Sequence, residues 1–520
     1  MKKSFLSLSA AVALGSLGFA GSAHALGYIG APATAPAATP ALPGPAVGNV
    51  LNPGAVGNML FTPYYTAQGS MATLINITNT DGVNGKAVKV RFRGAANSDD
   101  VLDFTLFLSP GDVWSASVSQ NASGAAEIST TDKSCTIPDA SAWPAQFSTL
   151  RLPAYQSGAQ QNLNLNEGYI EILNMADVPP NYISGPNAGK ANALYTNIKH
   201  VAGVAPCSGA GFAALLTPTT ATGLEAEAAG LSAATGGLMG TWALANQENF
   251  SMFSGNHVAV VSANTLAGLN LVPVQGYTNI AFTPQVPSNL DLVAYPAVNV
   301  TADPLLQGGM ITPLWFDLPD MSTPLLPGAP VAAGAPEVQA LGLSGALSHT
   351  RVLNDYVANG AGAAVPMATD WVVSQPTRRY FASMNYAGSA ATSAIVTNAV
   401  AGNPYAGILS RVLTANGPQA CMLVGFGSTD REERVNVTGG SFSPGASSPT
   451  CGEVFVVQFG ASSVLQAAVT TRTVTPVGTE GWAQLTLPGR LPVDGFAATS
   501  LVNNSTGVHY GWTLPHRYVD

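Results

Sequence analysis

Between Asn58 and Trp114 the chain runs NMLFTPYYTAQGSMATLINITNTDGVNGKAVKVRFRGAANSDDVLDFTLFLSPGDVW, and its period-two alternation restricts the possible folds more than any other feature. TLINITNT sets Thr73, Ile75 and Ile77 against Leu74, Asn76 and Thr78. AVKVRFRG sets Val88, Val90 and Phe92 against Lys89, Arg91 and Arg93, and VLDFTLFL is apolar on nearly every residue. Alternation rich in β-branched residues is the signature of strands. Asp81-Gly82 and Asn84-Gly85 are turn formers that tolerate positive φ, so a hairpin turn is expected there. The expected unit is an antiparallel meander with one buried face and one wet, basic face carrying Lys89, Arg91 and Arg93.

The same texture continues. Strand-like runs include Gly168–Met175, Thr241–Asn256, His257–Ala263, Thr369–Val373, Gln419–Gly425, Glu453–Gly460 and Gly481–Leu487, each bounded by turn residues. Many short strands without a fixed repeat predict an all-β protein of two β-sandwich or Greek-key-like domains. A minor helical insertion is expected around Gly223–Ala234, whose Ala- and Leu-rich sequence favours helix. Ser115–Pro153 reads as loop. Leu290–Leu326 reads as an ordered loop pinned by Trp315 and Phe316, and the Pro/Gly-rich stretch Pro324–Ala335 is the expected break. The expected division is 58–325 for an N-terminal β domain and 336–520 for a C-terminal one.

Residues 1–25 have the form of a secretory leader: Lys2 and Lys3, an apolar stretch from Phe5 to Ala20, and the small-x-small end Ala23-His24-Ala25. Residues 26–57, rich in Ala and Pro, read as a linker, an arm or a donated edge segment. Removing Lys2 and Lys3 with the leader takes the net charge from −9 to −11. That balance argues against nucleic acid as a partner, because phosphate binding needs clustered cations. Charged residues make up only 9% of the chain, against about 25% in ordinary globular proteins. A surface so poorly charged is weakly defended against self-association. Export permits disulfides. Of the three pairings open to Cys135, Cys207, Cys421 and Cys451, proximity favours Cys135 with Cys207 and Cys421 with Cys451.

Motifs for catalysis are missing: there is no HExxH, G-x-S-x-G, Walker A or strand-borne GxGxxG, and an enzyme is not expected. His509 and His516 lie close in sequence without a third ligand at motif spacing. Carboxylates are densest at Glu167/Glu171 and at Asp430-Arg431-Glu432-Glu433. The latter cluster reads as a solvated turn with local ion pairs, or as an assembly salt-bridge patch or cation site. Asn79–Gly85 is oxygen-rich but lacks the closing acid of a calcium loop. Tyr64, Tyr65, Trp114, Trp315 and Trp371 could form a sugar platform, although core packing is the expected role. Runs interrupted by proline, and a C-terminus lacking a terminal aromatic, fit an outer-membrane barrel poorly.

Taken together, TLINITNT, KVRFRGAANSDDVLDFTLFLSPGDVW, GYIEILNMADV, WFDLPDMSTP, TDWVVSQPTRR, STDREE and HYGWTLPHRY make the chain resemble a family of proteobacterial cell-surface proteins. That family includes surface-layer proteins, among them those that sheathe outer-membrane tubes and vesicles (nanopods). The resemblance implies a structural subunit that assembles with itself into a noncovalent lattice on the outer membrane, held to lipopolysaccharide through divalent cations such as Ca²⁺. It supplies no catalytic residues. A non-lattice adhesin or glycan-binding protein is the second expectation. An outer-membrane barrel or an extracellular hydrolase is the third. The basic row Lys89, Arg91, Arg93 is the expected assembly or anchoring patch, together with Asp430–Glu433.

Overall fold

The computed structural model describes residues 48–149, 151–213, 228–232, 234–263, 336–360, 362–386, 389–397, 401–438 and 448–520. The leader, most of the Ala/Pro-rich arm, Leu290–Leu326 with Trp315, the break at Pro324–Ala335 and half of Gly223–Ala234 lie outside the described residues.

The alternating runs do form strands, and the protein is all-β in class with a few short helices. Four large sheets account for it. The first runs, in spatial order, Gly48–Leu51, Val258–Ala263, Met59–Thr66, Glu167–Val178, Gly85–Gly94, Asp100–Leu108, Cys135–Ile137. The second runs Met252–Asn256, Thr241–Asn246, Met71–Asn79, Val113–Gln120, Ala126–Ser129, Ala145–Gln146, with Leu238–Met239 also on Met71–Asn79. The third runs Ser410–Thr414, Gly417–Asp430, Glu480–Pro492, Ser348–Val357, Arg517–Val519, with Val435–Thr438 and Ser448–Cys451 also on Gly417–Asp430. The fourth runs Thr471–Thr473, Val454–Gln458, Met367–Ser374, Asp494–Asn503, Val508–Pro515.

The opening stretch is not a meander. Gly85–Gly94 and Asp100–Leu108 pair as a hairpin in the first sheet, whereas Met71–Asn79 pairs with Val113–Gln120 in the second. The Asp81-Gly82 turn therefore crosses between sheets. Asp81 Oδ1 accepts from the backbone N–H groups of Val83 and Asn84, and its Oδ2 accepts from Asn84 Nδ2, while Lys86 Nζ lies 3.6 Å away. These internal partners occupy the loop that resembled a calcium site. Ser115–Pro153 is not a loop either; it contributes short strands to both N-terminal sheets. Short helices at Gly158–Leu165 and Pro336–Ala346 are further departures from the expectation. The first has a capping box, Ser157 with Gln160, that satisfies its free N–H groups.

The sheets divide by sequence, two from residues 48–263 and two from 348–519, but the cores do not. One core packs Val90, Phe92, Trp114 and Trp242 with Val372, Val456, Leu465 and Phe496. The other packs Met59, Phe61 and Val260 with Trp371, Phe426, Phe455 and Leu485. This sharing requires strands covered on both faces. Gly85–Gly94, Asp100–Leu108 and Glu167–Val178 are buried at every residue. A sheet covered on both faces reads as near-continuous apolar sequence, as VLDFTLFL does. The disulfides are Cys135–Cys207 and Cys421–Cys451.

Candidate functional sites: a sealed charge cluster and an open sheet face

The Lys89–Arg93 row does not face water, and this overturns its reading as a wet, basic face. Lys89 is 0% exposed, Arg91 1% and Arg93 3%. Alternation puts the three on the side of the first sheet opposite Val88, Val90 and Phe92, and the C-terminal half helps to cover that side. The register supplies their partners, since Arg91 lies opposite Asp103 on one flanking strand and Glu171 on the other. Arg91 Nε is 3.5 Å from Asp103 and 3.9 Å from Asp100. Lys89 Nζ is 3.9 Å from Asp103. Arg93 is 3.5 Å from Asp100 and 3.6 Å from Glu171. Gly168 makes room for the row. A Cβ there would lie 1.7 Å from the Arg93 carbonyl oxygen, so only glycine permits this approach.

The C-terminal half completes the cluster through Thr377-Arg378-Arg379-Tyr380. Arg379 Nε donates to Glu171 at 2.6 Å, and its guanidinium stacks 4.1 Å from the Tyr380 ring centroid. Arg378 Nε lies 3.3 Å from Glu453 Oε2, and the Arg379 backbone N–H donates to Glu453 Oε1 at 3.0 Å. Burial pushes the Glu453 carboxyl up, against the pull of Arg378 and the Arg379 amide. Burial, then Glu453 and Glu171, hold the Tyr169 phenol well above its ordinary range. No member of this cluster is more than 5% exposed, so it offers nothing to a substrate or a cell surface. It works as a joint. Charge reversal of Lys89, Arg91 and Arg93 would disturb folding and is no test of attachment.

A second joint lies nearby. The Ser463–Val469 loop of the C-terminal half is gripped by a carboxylate from each half. Ser463 Oγ and the Leu465 N–H donate to Asp370 Oδ2, at 2.5 and 3.2 Å. The Ala468 and Val469 N–H groups donate to Glu167, at 2.5 and 3.4 Å. Burial pushes both carboxyls up to about 7, outweighing these hydrogen bonds.

Asp430–Arg434 behaves as the solvated turn. Asp430 Oδ1 accepts from the N–H groups of Glu432 and Arg434, and Oδ2 from Arg434 Nε at 2.6 Å. Burial raises the Asp430 carboxyl, but these hydrogen bonds and the Arg434 charge outweigh it and hold the group below its usual range. Arg431 is 68% exposed and reaches Glu480 at 2.8 Å.

That ion pair borders the open outer face of the third sheet. Along Glu480–Pro492, Ala483, Leu485 and Leu487 turn inward, whereas Trp482, Gln484 and Thr486 turn out. Trp482 lies between Thr429 and Asp355 on the flanking strands. The aromatics singled out from sequence are elsewhere: Tyr64, Tyr65, Trp114 and Trp371 are all buried. Sequence reading missed Trp482, although its alternation with Ala483, Leu485 and Leu487 was the available signal.

His516 is held inside the fold. His516 Nδ1 pairs with Asn354 Nδ2 and its Nε2 with the Val372 carbonyl, and burial lowers its pKa to about 3. His509 is half-buried on the neighbouring strand. Among the described residues, no three His, Cys, Asp or Glu side chains come together as metal ligands.

A last surface feature joins the halves. Met252–Asn256, an edge of the second sheet, lies against Val508–Pro515, an edge of the fourth. The approach is close: a Cβ on Gly511 would sit 2.7 Å from the Met252 carbonyl oxygen. Phe250, 80% exposed, stands beside this double edge, and Met252, Val508, Tyr510 and Leu514 are exposed along it. No family model, curated protein or solved structure matches the chain.

Proposed function

We propose that this chain is an exported structural subunit that assembles with copies of itself into a noncovalent lattice on the outer membrane of a Gram-negative cell. The observation that carries this reading is the apolar double edge at Met252–Asn256 and Val508–Pro515. Two strand edges from different sheets present Phe250, Met252, Val508, Tyr510 and Leu514 to solvent on a chain with few charges to repel a neighbour. The two edges cover each other's backbone, so it is their side chains that a neighbour would meet, and large exposed apolar patches mark interaction sites. A contact between this edge and a different surface of the next copy propagates without closing, as a lattice requires. The joints between the halves suit the role, because a lattice subunit must hold its shape under lateral load. The surface-layer resemblance points the same way, and the anchoring it implies is to lipopolysaccharide through bridging Ca²⁺.

Electron microscopy and light scattering of the purified mature chain, with and without Ca²⁺, test the proposal. Sheets or tubes are expected from the native chain. The F250D/Y510D variant is expected to stay dispersed with an unchanged circular dichroism spectrum. A native chain that remains monomeric at high concentration with Ca²⁺, on cells whose surface is smooth, would sink it.

A further inference from the structure

We propose that the outer face of the third sheet around Trp482 binds a neutral, linear polysaccharide, with a pyranose ring stacked on the indole. Of the six described tryptophans, Trp482 is the one that is exposed, at 43%. Its position does not result from a frayed edge. The Glu480–Pro492 strand lies in the interior of the seven-stranded sheet, paired on both sides along Trp482. A large apolar ring kept in water on a rigid central strand is a ready contact surface, ordered before any ligand arrives.

The surroundings select the ligand. Val435, also exposed, lies across Thr429 from Trp482 and widens the apolar platform. Gly425 and Gly427 lie opposite Thr486 and Gln484, so those side chains rest against bare backbone and stay low beside the indole. Around this floor stand groups that donate and accept hydrogen bonds: the Gln484 amide, the Thr429 hydroxyl, and two ion pairs, Arg431–Glu480 at 2.8 Å and Arg517–Asp355 at 3.9 Å. Arg431 and Arg517 are matched by carboxylates, and the third guanidinium of the face, Arg351, donates to Gln484 Oε1 at 3.4 Å, so the face lacks the clustered free cations that a polyanion such as nucleic acid or a membrane surface needs. Trp482, Val435 and the half-buried Leu353, ringed by ion pairs, fall short of the apolar centre that a second copy would need. A sugar chain fits both parts. Its ring C–H face is apolar, and its hydroxyls donate and accept at the rim. The inference does not depend on the lattice reading, since a monomer would carry the same face.

The test titrates the purified mature chain with cellohexaose, chitohexaose and maltohexaose, followed by calorimetry and tryptophan fluorescence. Binding of at least one probe is expected. W482A is expected to weaken it about tenfold or more, with unchanged circular dichroism and thermal midpoint, while W482F retains part of the affinity. Equal binding by W482A and the native chain would overturn the proposal, as would failure of all three probes to bind. Loss of self-association in W482A without sugar binding would make the face a contact between copies and would overturn it as well. The lattice reading is tested at Phe250 and Tyr510, so the two can fail separately.

Discussion

The Lys89–Arg93 row with its partners and the Asp430–Arg434 turn both pair guanidinium groups with carboxylates, yet one is sealed at the joint between the halves and the other stands in water. In the first, acids arrive from two strands, a turn and both halves: Asp100 and Asp103, Glu171, and Glu453. In the second, the acids and bases are sequence neighbours on one turn. Identical residue chemistry therefore does opposite work. Buried charges must be paired because water cannot solvate them, so they fix one arrangement of the sheets that carry them. Exposed pairs are solvated whether or not they touch.

The strongest way to break this contrast is to remove one buried partner. Glu171→Ala leaves Arg93 and Arg379 without a carboxylate that both contact. Orphaning a buried charge costs about 3–5 kcal/mol, so the urea midpoint should fall sharply and both halves should unfold together. A loss under about 1 kcal/mol, typical of exposed pairs, would mean that water reaches the cluster and that the two regions do not differ in kind.

A second test uses the loop clasp. Glu167 and Asp370 have folded-state pKa values raised to about 7 by burial, from ordinary values of 4.5 and 3.8. The folded chain therefore binds more protons than the unfolded chain between about pH 4 and 7, and stability falls as pH rises across that interval. Their contribution is full below the ordinary carboxylate range and is lost as pH passes through 7. Thermal midpoints from pH 5 to 8 should decline in the native chain, and the E167Q/D370N variant should flatten that decline. An unchanged slope in the variant would assign the pH response to other buried acids, such as Glu453 or Asp494.

These tests also mark how far the sequence could be read. Alternation in TLINITNT and AVKVRFRG located the strands and sorted their faces correctly, because period two is a local property of extended backbone. It could not say that both faces of AVKVRFRG would be covered, which depends on a second sandwich nearly 300 residues away. Two hints were present. Asp103 sits within VLDFTLFL and Glu171 within GYIEILNM, and an acid inside an otherwise apolar strand needs a buried partner. Trp482 was hard to find for the opposite reason. Seven tryptophans look alike in sequence, and only the inward turn of Ala483 and Leu485 sets this one facing out. The meander failed because the Asp81-Gly82 turn serves a crossing between sheets as well as a hairpin.

The smallest effect is expected at Glu432. Its carboxylate, 62% exposed, lies 3.5 Å from an Arg434 guanidinium that is equally exposed and already bonded to Asp430. Truncation to alanine removes a solvated partner and leaves no buried group unsatisfied, so Glu432→Ala should change stability by no more than about 0.5 kcal/mol. The urea midpoint should match that of the native chain at both low and high salt, since there is little net attraction to screen. The same variant sharpens the contrast in another way. If Glu432→Ala leaves stability alone but alters the assembly of the purified chain, the turn acts between molecules, whereas the Glu171 cluster acts only within one. A destabilisation approaching that of Glu171→Ala would show that Asp430–Arg434 is held by contacts beyond its own turn, and the distinction between the two clusters would fail.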